Sequence, residues 1–533
     1  MTPPGRLLRI VPAAPRAVLA LLALALAAPA GAQTLAVEDS VLRAIWREGT
    51  ESSQAVEIAQ ALLDSVGPRL TGSPGHLAGN EWAVAVYRGW GIEARNEPYG
   101  TWRSWRRGPT HVDLIAPRVR TLEATMLAWS PGTAGPVEGP VVLLPEVADS
   151  AAFTAWLPGV RGAFVAVSFP QPTCRPDGNW EEFARPETFE RMRTARAAAL
   201  AEWGERVQAT GVEPADLAAR LESAGAAGIL TSRWSEGWGV DKIFGTRNER
   251  VPVLDVSCED YGLVARLAER DQGPVLRVTA EAELLGEVPV HNTIARIPGR
   301  DVADEVVVLS AHFDSWDGAS GATDNGTGTV VVMEAMRILQ RVLPQPRRTI
   351  VAGHWGGEEQ GLNGSRAFAE DHPEIVAGLQ ALFNQDNGTG RIERISMQGL
   401  IDAGRLFGRW MARLPTEITG HIDLDVPGMP GRGGSDYASF VCHGAPAFGL
   451  SSLSWEYGTY TWHTNRDTYD KVVFEDLREN AILMAMLAYL ASEDPERMPR
   501  EQRAIFPVNT ATGEPQRWPE CQPPERSSAE DGR

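Results

Sequence analysis

Basic side chains are in short supply. The 533-residue chain sets 50 Lys and Arg against 69 Asp and Glu, a formal net charge of -19. That balance argues against nucleic acid, whose phosphates need a basic footprint. It is compatible with substrates carrying a free amino group, although surface solubility explains it as well. Cysteine is scarce too. The four present, Cys174, Cys258, Cys442 and Cys521, show no CxxC spacing, which removes a cysteine-built metal site from consideration. Membrane-length apolar runs are missing: the uninterrupted Ala/Leu/Val stretch from Ala17 to Ala28 falls short of the about 20 residues that cross a bilayer, and nothing later is apolar enough. No internal repeat is visible.

What is present points to an exported globular protein. Hydrophobic residues make up 43% and there are 17 Trp, a composition that can build cores. Residues 1–32 have the layout of an export signal: Arg6, Arg9 and Arg16 lead the apolar run, and Ala30-Gly31-Ala32 suits cleavage. The expected mature chain starts near Gln33, secreted or periplasmic, with no lipid anchor because no Cys follows the cleavage site. That compartment permits disulfides. Cys174 and Cys521, both in Pro-rich surroundings, are the pair we expect if one exists, with Cys258 and Cys442 as buried thiols.

The length exceeds one ordinary core and predicts two domains, one inserted in the other. The expected division is 33–119 as the N-terminal part of the main domain, 120–285 as a small β-rich insert, 286–495 as the rest of the main domain, and 496–533 as a Pro-rich tail on the surface. In the insert, short apolar strands alternate with turn signals and helices, and no cluster of His and carboxylates suggests its own chemistry. It is expected to shape access to a site elsewhere. From Val290 onward strands and helices alternate: strands at Asn292–Arg296, Glu305–Ser310, Arg348–Ala352, Leu379–Asn384 and Ala447–Leu450, with helices including Gly328–Leu343 and Phe474–Ala491. The fold class predicted is α/β, a doubly wound, mostly parallel sheet.

Metal-type side chains gather where these strands end. The stretch Val306–Gly328 carries His312, Asp314 and Asp324. The strand from Arg348 runs into Glu358-Glu359, the strand from Leu379 runs into Asp386, and a late loop holds His463 and Asp467. Taken one at a time, each has an ordinary structural explanation. Together they lie past strand ends of one sheet, where open α/β sheets place ligands. Imidazole and carboxylate donors suit zinc. Two metals sharing one carboxylate, with two private ligands each, would use five of the six residues His312, Asp324, Glu358, Glu359, Asp386 and His463 and leave one carboxylate as a base. His354 is expected to be structural.

The ordered set HxD, D-N-G, E-E-x-G-L-x-G-S, a strand-end Asp and H-T-x-x-D-T resembles the family of co-catalytic zinc aminopeptidases. GPRLTGSPG and VHNTIARIPG are similar to its carboxypeptidase Q branch, and the insert resembles a protease-associated domain. The resemblance implies two zinc ions per chain (cobalt and manganese fit overlapping ligand sets). Asp324 would bridge them, His312 and Asp386 completing one site, Glu359 and His463 the other. Glu358 would be the general base, Asp314 would orient the His312 imidazole, and Asp467 would do similar work near His463. It also implies a cis peptide at Asp324-Asn325 and a homodimer, for which no interface is legible. The family commonly has Ser-Asp-His where this chain has Ser435-Asp436-Tyr437, three residues expected to line the substrate pocket. The implied substrate is a peptide or dipeptide with a free terminus. Two other readings stand beside this one, a non-catalytic receptor on the same scaffold and a single-zinc enzyme similar to glutaminyl cyclase.

Overall fold

The protein is described here by a computed structural model covering residues 38–529; the export-signal expectation lies outside those residues. Four strands form the parallel centre of the sheet, in the order Ala447–Ser452, Leu379–Gln385, Val302–His312 and Arg348–Trp355. Each is an apolar run that reads as a strand buried on both faces, and Val306–Leu309, Ile350–Ala352 and Ala381–Phe383 are all buried. Ile392–Ser396 joins one side antiparallel and Val275–Ile297 the other. The mixed α/β class and largely parallel centre are as expected.

The helix Thr327–Val342 is buried around its whole circumference over most of its length. Val330 to Leu339 are buried throughout, because the helix is covered by both the sheet and the helix Phe474–Glu493. Its two charged residues in that span are accommodated locally. Arg337 donates to Glu334 Oε2 at 2.7 Å, to Glu48 Oε1 at 2.6 Å and to the Ser52 carbonyl at 3.0 Å. A buried charge survives only when it is paired and hydrogen-bonded in this way.

One long strand, Glu93–Ala116, pairs antiparallel along its length with Val275–Ile297. The pairing tolerates register shifts at Pro98/Gly100 and Arg107/Thr110, the residues that look like breaks in the sequence. The expected boundary at residue 285 falls inside the second strand, which runs on unbroken. Between the two lie the short strands Val137–Leu143, Phe164–Ala166, Gly228–Thr231 and Val253–Val256, successive neighbours in parallel, with Ala124–Met126 antiparallel at the edge.

The cysteine expectation is corrected. Cys174 bonds Cys258, with 5.8 Å between Cα atoms, and Cys442 bonds Cys521, at 5.0 Å. Cys258 opens the helix Cys258–Glu269, against which the loop of Cys174 lies. The C-terminal tail folds back on the short helix Ala438–Val441, where Trp518 Nε1 donates to the Val441 carbonyl at 2.9 Å, so Cys521 and not Cys174 reaches Cys442. Beyond it, Thr101 N donates to the Arg526 carbonyl at 2.8 Å. The Cys442–Cys521 bridge closes 79 residues. Replacing both by Ser is expected to lower unfolding free energy by about 2–4 kcal/mol, measured by urea denaturation under oxidising conditions; a change below about 0.5 kcal/mol would mean the tail is held by its hydrogen bonds alone. Among the described residues no helix is long and apolar enough to cross a membrane.

Candidate metal centre

Every predicted ligand sits just beyond the carboxyl end of a central strand or in the loop that follows. His312 is the last residue of Val302–His312. Asp324 occupies the irregular turn Ala322–Gly326 ahead of the helix Thr327–Val342, and the Asp324-Asn325 peptide is cis. Glu358 and Glu359 follow Arg348–Trp355, Asp386 follows Leu379–Gln385, and His463 lies in the loop after Ala447–Ser452.

The structure brings His312, Asp324, Glu359, Asp386 and His463 together in two halves. His312 Nε2 is 3.1 Å from Asp386 Oδ1 and 3.4 Å from Asp324 Oδ1. His463 Nε2 is 2.9 Å from Glu359 Oε2 and 3.3 Å from Asp324 Oδ2. Asp324 therefore turns one carboxylate oxygen toward each imidazole. Asp324 Oδ2 and Glu359 Oε1 are buried with no hydrogen-bond partner among the described residues. Unpaired buried carboxylate oxygens are costly, and two imidazoles with three carboxylates form a donor set suited to zinc. The residues present fit a pair of cations.

Burial governs the electrostatics, with the neighbouring charges adding to it or opposing it. Burial, then the negative charge of Asp386, Asp436 and Glu359 against partial relief from His312, push the Glu358 carboxyl well above the usual range; burial and Asp324 do the same to Glu359. Burial opposes charge on His312, but Asp386 and Glu358 overcome it and raise its pKa well above normal. Burial opposes charge on Asp324 too, yet His312 and His463 hold it below the ordinary carboxylate value. Burial pulls His463 down to about 4.

Of the two supporting acids, Asp314 holds the His312 imidazole and has a second task besides, while Asp467 works elsewhere than near His463. The Nδ1 of His312 is held by the backbone carbonyl of Asp314 at 2.9 Å, while the Asp314 carboxylate accepts from Glu358 N at 3.1 Å, Glu359 N at 3.2 Å and Thr71 Oγ1 at 3.1 Å. Its side chain thus aims the Glu-Glu pair. Asp467 does not touch His463; its carboxylate accepts from Thr323 N at 2.8 Å and Asp324 N at 3.0 Å, and so fixes the central acid. The peptide planes there are further tied by Asn325 Nδ2 donating to the Gln385 carbonyl at 2.8 Å.

Several contributors carried no motif. Trp316 Nε1 donates to Glu359 Oε2 at 2.8 Å, and its ring packs 5.7 Å from that of His463. Phe244 packs 4.9 Å from the same imidazole. Trp316 lay inside the stretch first singled out, so an indole donor was there to be noticed; Phe244 had no local signal. Of the expected pocket residues, Ser435 Oγ accepts from Asn384 Nδ2 at 2.7 Å. Asp436 is buried, which raises its carboxyl to about 7. Tyr437 lines, with Asp386, Asn387, Arg394, Asp425 and Ser435, a cavity of about 330 Å³ beside the His312 half. His354 is structural as expected, 2.7 Å from the Tyr87 hydroxyl in a fully buried pair.

The chain is similar to several known proteins. Carboxypeptidase Q of Rattus norvegicus is 23% identical over 453 residues, covering 85% of this chain and 88% of the relative. The structure of a peptidase M28 precursor from Shewanella amazonensis superposes with a TM-score of 0.63 at 24% identity, covering 88% of this chain and 98% of that one. A zinc aminopeptidase from Bacillus subtilis superposes with a TM-score of 0.53 at 17% identity, covering 84% and 96%. Residues 292–488, which contain all five clustered donors, match the model of peptidase family M28.

Proposed function

We propose that the chain is an exported exopeptidase that holds two zinc ions and cleaves a peptide bond next to a free terminus, with residues 120–285 as an inserted domain. The observation that carries this is the division of the donor set by Asp324, one oxygen toward His312 and Asp386, the other toward His463 and Glu359. When bound, zinc would supply Lewis acidity to the scissile carbonyl and lower the pKa of the attacking water. Glu358, whose backbone N–H donates to Asp314 Oδ1 at 3.1 Å, would take a proton from the attacking water on a carboxylate oxygen and hand it to the leaving nitrogen. The cavity beside Asp386, with Ser435, Asp436 and Tyr437 at its rim or beneath it, is the substrate side of the site. The named activities of the similar proteins, carboxypeptidase and aminopeptidase, support an exopeptidase. Two disulfides support an oxidising compartment.

The test is zinc content together with hydrolysis. Metal analysis is expected to find close to two zinc per chain. Turnover of a leucyl chromogenic amide or of unblocked dipeptides should vanish with chelator and return with added zinc. Equal cleavage of substrates blocked at both ends, or turnover indifferent to chelator, would overturn the reading.

A further inference from the structure

The two imidazoles are held differently. His312 ends a buried strand and has its Nδ1 tied to a carbonyl at 2.9 Å. His463 sits in an irregular loop with a backbone φ of +56°, and its Nδ1 has no hydrogen-bond partner among the described residues. A left-handed conformation is unfavourable for a residue with a Cβ and persists only when its surroundings impose it. A metal-binding imidazole ordinarily gets its orientation from a partner on the other ring nitrogen. For His463 both jobs must be done by something else.

Besides Trp316, whose ring packs at 5.7 Å, the neighbours that do them come from one short segment of the 120–285 region. Ile243 N donates to the His463 carbonyl at 2.7 Å. Lys242 Nζ donates to the Trp462 carbonyl at 2.5 Å and the Gly458 carbonyl at 3.2 Å, and lies 4.6 Å over the Trp462 ring, which is tilted by 30° against the His463 ring at 4.0 Å. Asp241 and Asn465 are paired twice through backbone and side chain: Asp241 N to Asn465 Oδ1 at 3.0 Å, and Asn465 N to the Asp241 carbonyl at 3.1 Å. Phe244 closes the other side of the imidazole at 4.9 Å. Lys242 is itself only 5% exposed, and its own N–H is fixed on Asp255 Oδ1 at 3.0 Å. A nearly buried ammonium spending its donors on two carbonyls of one loop is a clamp, because leaving either carbonyl or the ammonium unpaired there is costly.

We propose that residues 241–244 are positioning residues for the second metal half: they hold His463 at the distance and tilt that let it act with Glu359, and zinc affinity of that half, but not of the His312–Asp386 half, depends on Lys242. The inference rests on the two-zinc reading and adds to it that a segment remote from the M28 match, with no ligand of its own, sets the occupancy of one site.

The experiment is zinc binding by full-length wild type, Lys242→Met and Lys242→Arg, dialysed against zinc buffers and analysed for metal, with hydrogen exchange of the metal-free proteins read by mass spectrometry. For Lys242→Met, one zinc is expected to bind as in wild type and the second at least about 10-fold more weakly. Exchange should rise in peptides spanning 457–467 and stay unchanged in those spanning 379–388. Lys242→Arg should restore most of the second affinity. Should Lys242→Met fail to fold, Asn465→Ala, which breaks the paired contact from the loop side, is read in the same two ways. Two zinc bound with wild-type affinity in the variant, or equal weakening of both, overturns the inference while leaving the two-zinc reading intact. Fewer than two zinc in the wild type overturns both.

Discussion

Glu358→Gln is expected to lower turnover by about 10²- to 10⁴-fold, the range for losing a positioned general base, while zinc content stays at the wild-type value. The amide keeps the size of the carboxylate and its backbone N–H bond to Asp314, but it cannot carry the proton from water to the leaving nitrogen. Glu358 is also the acid that the donor geometry leaves over, since the imidazole contacts fall on Asp386, Glu359 and Asp324. Metal loss would instead follow from Glu359→Gln, so the two neighbouring substitutions should separate cleanly. Steady-state kinetics with metal analysis on the same samples checks this. A Glu358→Gln enzyme within about fivefold of wild type, with zinc in place, would mean the proton is moved by another group.

The second large effect concerns stability. Arg69 lies in the Gly- and Pro-rich turn after the first helices and is fully buried. Its guanidinium donates to the carbonyls of Phe313 at 2.7 Å, Gly67 and Ser320 at 2.8 Å each, and Gly321 at 3.0 Å. It thereby ties together both ends of the loop between His312 and Asp324. Burial lowers its pKa to about 10 against the support of Asp467, Asp314 and Asp324, so it stays charged at neutral pH. Arg69→Met takes a donor from four carbonyls, of which Gly321 keeps Gly326 N at 2.9 Å, and a nearby cation from three buried acids. The expected loss is about 3–5 kcal/mol, as for other buried charges whose partner is removed, read as a fall in the urea midpoint of the metal-free protein. Arg69→Lys should recover little, because one ammonium cannot span carbonyls that the planar fork reaches together. A loss under about 1 kcal/mol for Arg69→Met would show that the loop is organised without it.

How much of this was legible in the sequence depended on whether the cause was local. His312, Asp324, Glu358-Glu359 and Asp386 each follow an apolar run or precede a helical one, so their placement could be read from neighbours in the chain. The second task of Asp314 and the task of Asp467 could not, because which oxygen faces which N–H depends on the path of a loop: Asp314 also serves the Glu-Glu pair and Asp467 serves Asp324. Lys242 and Phe244 were invisible, their partners lying some two hundred residues further along the chain. The same reason explains the cysteines. Local proline content suggested Cys174 and Cys521 as mates, but the pairing follows from where the tail and the helix Cys258–Glu269 come to rest. The long antiparallel pair was missed because Pro98, Gly100 and Gly108-Pro109 look like stops, whereas a paired strand absorbs them as shifts of register.

That antiparallel pair has a bearing on what the smallest working enzyme could be. Ala116 and Val275 face each other at its far end, so everything from 117 to 274 leaves and re-enters at two touching residues. A two-residue turn could join them as a β-hairpin, shortening the chain by nearly a third with the ribbon and the M28 portion covalently continuous. Such a miniature would keep every proposed zinc donor and lose Lys242 and Phe244 with the excised part. It would thus carry the complete inner set of ligands with only one of its two histidines properly braced.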